Sequence, residues 1–138
     1  MEPRVQYAQT ADGVSIAFMV AGNGVPVVHP FFYLSHLQLN WANEYSGQWM
    51  RALADRYQLI AYDARGNGLS QRGIERYGPD EALYDLEAVI DKLALDRFVI
   101  LAPLAHGSAP PPTRCARRTP SALRLRTQGP WWRRRTKP

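Results

Sequence analysis

Short apolar runs alternate with turn residues along the first hundred positions of the chain. Residues 5–8 and 14–20 are β-type runs separated by Ala11-Asp12-Gly13, which is turn chemistry. In the second run Ile16, Phe18 and Val20 fall at period two, which predicts a strand buried on one face. Ala21-Gly22-Asn23-Gly24 turns the chain again. Residues 25–28 then form a short apolar strand, with Pro26 near its start, where a missing N–H does least harm. Residues 30–42 read as an aromatic loop, and 48–56 as a helix that turns Trp49, Leu53 and Met50 inward. Residues 57–62 predict the next strand. Pro79-Asp80 opens a second helix in which Ala82, Leu86, Val89 and Leu93 share a stripe, widened by Leu83 and Ile90. Asp80 and Glu81 sit in its first turn, where the helix dipole favours acids. Residues 98–101 are a fully apolar strand. The order β-β-β-α-β-α-β predicts an α/β fold, a mostly parallel sheet with antiparallel N-terminal strands.

Charge changes this picture only at the end of the chain. The formal charge is +5, from 17 Lys and Arg against 12 Asp and Glu. Residues 1–107 hold 8 basic and 12 acidic residues, whereas 108–138 hold 9 basic residues, no acid and 6 of the 11 prolines. The expected organisation is a folded unit over 1–107 followed by a basic Pro/Arg-rich tail over 108–138. Cys115 is the sole cysteine, so no internal disulfide can form, and no Cys/His spacing suits a structural zinc. No metal or cofactor is expected. The start lacks the apolar core of a signal peptide, and the most apolar stretch, 25–34, is broken by Pro26, His29 and Pro30. These features point to the cytoplasm, with no membrane partner.

Asp63-x-Arg65-Gly66-x-Gly68-x-Ser70, set directly after a strand, resembles the α/β-hydrolase fold family. The stretches VQYAQTADGVSIAFMVAG and SHLQLNW are similar to a branch of that family found fused to nucleotide cyclases or helix-turn-helix regulators. The resemblance covers residues 4–107 and implies the N-terminal half of such a domain, with its C-terminal half missing. The glycine loop has a structural role in that family, with Arg65 as a brace, and receives no chemistry here. A hydrolase of this kind carries its nucleophile in a G-x-S-x-G elbow after the strand at 98–101. The resemblance places Leu104 at the nucleophile position and Ala102 and His106 at the glycine positions. Leucine cannot attack a carbonyl, and Ser108 falls four residues too late. The acid and the histidine of the triad come after the nucleophile in this fold, yet after Leu104 the chain has His106 and no Asp or Glu. In the oxyanion loop, His29-Pro30-Phe31-Phe32 replaces a His-Gly turn; Pro30 has no N–H to donate, which leaves the Phe31 amide as the candidate.

The resemblance therefore implies a truncated hydrolase-family protein that is itself inactive, from a parent acting on small molecules. The alternative is a non-catalytic ligand-sensing domain of a signalling or transcriptional regulator. The tail admits three readings: an arginine-rich, Trp131-Trp132-bearing nucleic-acid arm, a solvated inert tail, or translation out of frame. Shifting each codon of 113–121 by one base permits Tyr-Ala-Leu-Arg-Ala-Ser-His-Pro-Glu, similar to the helix that succeeds the elbow in this family. Nucleic acid is not the expected partner. Half a sheet would leave the strand at 98–101 with a bare edge, so self-association or aggregation is expected.

Overall fold

The computed structural model describes residues 2–31, 35–101, 113–119 and 122–126. Its elements run β1 (Val5–Gln9), β2 (Ser15–Ala21), β3 (Pro26–Phe31), α1 (Leu37–Ala42), α2 (Glu44–Ala54), β4 (Gln58–Asp63), α3 (Pro79–Lys92), β5 (Arg97–Leu101), β6 (Thr113–Thr119) and β7 (Ala122–Arg126). One sheet holds the strands in the order β1-β2-β4-β3-β5-β6-β7. β2 pairs antiparallel with both β1 and β4, and β3 lies parallel to both β4 and β5. This is the α/β sheet with antiparallel N-terminal strands and a parallel centre that the sequence implied.

The two faces of the sheet carry separate cores. Ile16, Phe18, Val28, Ile60, Tyr62, Phe98 and Ile100 pack with Leu86, Val89 and Ile90 of α3. Ala17, Met19, Leu59 and Ala61 pack on the opposite face with Leu37 of α1 and Met50 of α2. A helix on each face is what parallel strands demand, since both sides of such strands must leave water. α3 begins at Pro79, whose missing N–H costs nothing in a first turn, with Asp80 and Glu81 beside it. Asn43 caps α2 by accepting from the N–H groups of Tyr45 and Ser46 at 2.9 and 3.1 Å.

Several expectations need correction. β2 is buried on both faces, because Ala17 and Met19 are as enclosed as Ile16 and Phe18. β3 runs on through His29 and Pro30 to Phe31, where the sequence suggested a loop, because its backbone pairs continuously with β4. The rest of that supposed loop contains α1, and α2 begins at Glu44, four residues earlier than the apolar spacing indicated. Leu83 is exposed; Ala88 joins the core in its place. No element was expected after Leu101, and β5 was expected to have a bare edge. Instead β6 pairs antiparallel with β5 and β7 with β6. Ladder hydrogen bonds use the backbone alone, so a segment without apolar alternation can still extend a sheet.

Candidate functional site

The three parallel strands β3, β4 and β5 end at one edge of the sheet, with Phe31, Asp63 and Leu101 as their last residues. Ligands of open α/β sheets sit outside such carboxyl ends, which makes this edge the candidate site. Phe31 stands in register with Asp63. Leu104, Ala102, His106 and Ser108 lie outside the described residues.

The chain leaving β4 is organised around Asp63, whose side chain is fully buried. Its carboxylate accepts from Ser35 Oγ at 2.7 Å, from the Leu37 N–H at 3.2 Å and from the Leu69 N–H at 2.9 Å. Ser70 Oγ donates to the Asp63 carbonyl at 2.5 Å and accepts the Ala17 N–H at 2.8 Å. The carboxylate thus gathers the start of α1 and the glycine loop onto the end of β4. Gly68, at φ +48°, passes directly over it; a Cβ there would overlap Asp63 Oδ2 and lie 2.6 Å from the Ser35 carbonyl oxygen. All the acceptor capacity that the geometry shows at Asp63 goes to architecture. An open groove of 410 Å³ beside it is lined by Ser35, His36, Asn40, Asn67, Gly68 and Arg72.

Arg65, 4% exposed, is the second organiser. Its backbone N–H and its Nε donate to the two oxygens of Asp85 at 3.0 and 2.9 Å. Nη1 and Nη2 donate to Asp12 at 2.8 and 3.1 Å. The hydrogen bonds from Arg65, and then that from Thr10 Oγ1, hold the Asp12 carboxyl well below the usual carboxylate range. Burial pushes the Asp85 carboxyl up, against the pull of Arg65. Arg65 places three donors on the two Asp85 oxygens, the closest being Nη2 at 2.8 Å. The brace that the sequence assigned to Arg65 is therefore present; its partners, in the β1–β2 turn and on α3, carried no sequence signal.

His29, 3% exposed, lies near the end of β3. Its Nδ1 is 2.7 Å from the Leu101 carbonyl oxygen, and its ring meets Trp49 edge-on at 4.9 Å between centroids. Burial lowers its pKa, against the opposing effect of the bond to Leu101. Among the described residues no group of three His, Cys, Asp or Glu side chains could hold a metal, and no helix is long and apolar enough to cross a membrane.

Comparison with known proteins bears on this edge and its strands. Residues 30–102 match the alpha/beta hydrolase fold family. An alpha/beta hydrolase from Sphaerobacter thermophilus is 30% identical with a TM-score of 0.57, over 70% of this chain and 35% of its own. An esterase from a Rhodococcus species is 29% identical, with a TM-score of 0.60, over 72% of this chain and 35% of its own. A mutant epoxide hydrolase from Vigna radiata is 26% identical, with a TM-score of 0.59, over 73% of this chain and 30% of its own. The chain thus spans about a third of the length of these proteins. No curated protein matches it. The strand order, the braced loop after β4 and a family match that covers more than half of its residues agree, and the chain belongs to the α/β-hydrolase fold family.

Proposed function

We propose that this chain carries the N-terminal, sheet-forming half of a domain whose parent chemistry is hydrolysis of small-molecule esters, lactones or related bonds, and that the chain itself does not catalyse it. The observation that carries the reading is a leucine at 104, the position that the family resemblance assigns to the nucleophile. A leucine side chain offers no lone pair to attack with, and after Asp96 the chain supplies no side-chain carboxylate to orient a histidine. The esterase and epoxide hydrolase among its structural neighbours support the substrate class. The carboxyl edge of the sheet, with Phe31 on its rim, is where a small molecule would sit.

Leu104 also favours the second reading, a ligand-sensing domain within a signalling or transcriptional regulator. A site that cannot attack its ligand can still bind it. On either reading the chain works in the cytoplasm, and a sheet with fewer covering elements than a whole domain is prone to self-association. The test is turnover of activated short-chain esters by the purified chain, beside the Leu104→Ser variant. The expected result is background hydrolysis by both. Clear turnover by the native chain, abolished by Ser108→Ala, would overturn the assignment.

A further inference from the structure

We infer that His29 is a positioning residue: its imidazole supplies the hydrogen bond that Pro30 removes from the β3–β5 ladder, and so ties the end of β5 to the end of β3. The inference concerns the frame of the proposed ligand edge, but it stands on ladder geometry alone and needs no turnover to test.

In a parallel ladder, successive residues turn their N–H and C=O groups to opposite neighbours. The Gln58 N–H donates to the Val25 carbonyl at 3.1 Å, so Val25 faces β4. By alternation Val27, His29 and Phe31 also face β4, while Pro26, Val28 and Pro30 face β5. The two prolines of β3 therefore point their ring nitrogens away from β4. This explains an asymmetry in the register. Pairing with β4 runs unbroken from Pro26↔Gln58 to Phe31↔Asp63, whereas pairing with β5 contracts to Val27↔Val99 and Val28↔Ile100. Each end of the short ladder falls where a proline should have donated.

At the carboxyl end the acceptor left over is the Leu101 carbonyl, which is the oxygen that His29 Nδ1 meets at 2.7 Å. A carbonyl only accepts, so Nδ1 carries the proton. The edge-on contact with Trp49 of α2 fixes the plane of the ring. A histidine next to a proline in an interior strand thus replaces a backbone donor with a side-chain donor from the adjacent residue. Leu101 is also the last residue of β5, so the latch sets where β5 ends relative to the end of β3.

The experiment uses the full chain, with native-state amide exchange at Leu101 and ¹⁵N shifts of the His29 ring. The wild-type ring is expected in the Nδ1–H tautomer. His29→Leu should speed exchange at Leu101 roughly tenfold, the worth of one hydrogen bond, and leave the β3–β4 amides unchanged. Adding Pro30→Ala restores the backbone donor and should return Leu101 to the wild-type rate. His29→Gln, which keeps a donor, should fall between. A double variant that exchanges as fast as His29→Leu, or a wild-type ring protonated on Nε2 alone, overturns the inference. Should His29→Leu fail to fold, His29→Gln with and without Pro30→Ala decides the question. A cost that is the same in both backgrounds refutes the latch.

Discussion

Replacing Gly68 with alanine tests the claim that Asp63 organises the loop after β4, and Gly13 provides the control. Both glycines have positive φ, +48° and +85°. An L-residue in that region costs about 1–2 kcal/mol. At Gly13 nothing lies within 4 Å of an added Cβ, so Gly13→Ala should cost that strain and no more. At Gly68 the new carbon would overlap the Asp63 carboxylate and crowd the Ser35 carbonyl oxygen. Asp63 is fully buried beneath it. Displacing the carboxylate strips an acceptor from Ser35 Oγ and from the N–H groups of Leu37 and Leu69. Each buried donor left without a partner costs about 1–3 kcal/mol. Losing one or two of them, with the backbone strain added, brings Gly68→Ala to about 3–5 kcal/mol. Urea unfolding followed by tryptophan fluorescence, with both variants beside wild type, measures the difference. A Gly68→Ala midpoint equal to that of Gly13→Ala would refute the organising role of Asp63.

Arg65→Met should cost about 3–5 kcal/mol, because it strands the buried Asp85 carboxylate. Adding Asp85→Leu should recover most of that loss in the same urea assay, and no recovery would count against the charge argument. Stability should fall as pH drops below about 6.5, where the unfolded state binds a proton that buried His29 refuses until its lowered pKa is reached. The slope should approach about 1.4 kcal/mol per pH unit for one proton, and His29→Gln should remove it. Asp12 gives a second, more acidic limb. Its depressed folded-state pKa contributes stability above the ordinary carboxylate pKa of about 3.9. That contribution is lost as pH falls towards the folded value, so Asp12→Asn should flatten the limb in thermal melts recorded across that range.

The α/β class, the antiparallel start and five strands of the sheet were legible from apolar runs and turn residues. Period-two spacing at Ile16, Phe18 and Val20 identified one face of β2. It hid the other, because Ala17 and Met19 reveal their burial only once α1 and α2 are placed above them. The extension of β3 was concealed by Pro30, a residue that argues against an interior strand until it is known which neighbour its nitrogen faces. β6 and β7 left no trace, since backbone pairing needs no apolar pattern. At the site, the role of Arg65 came from the loop motif, whereas Asp12 and Asp85 are ordinary acids in the sequence and become partners only through the long-range fold. The bond between His29 and Leu101 joins residues 72 positions apart, beyond the reach of any local spacing.

Arg65 also determines how the molecule can come apart. It joins the turn between β1 and β2, the exit from β4 and the middle of α3, segments 53 and 20 residues away along the chain. No one of these can open without breaking a charged bond to another, so the N-terminal hairpin and α3 cannot fray independently. In the language of hydrogen exchange they form one cooperative unit, whose amides would open together at a common free energy. An edge hairpin would ordinarily be the first part of a sheet to peel away. Here, a single guanidinium ties the turn of that hairpin to α3.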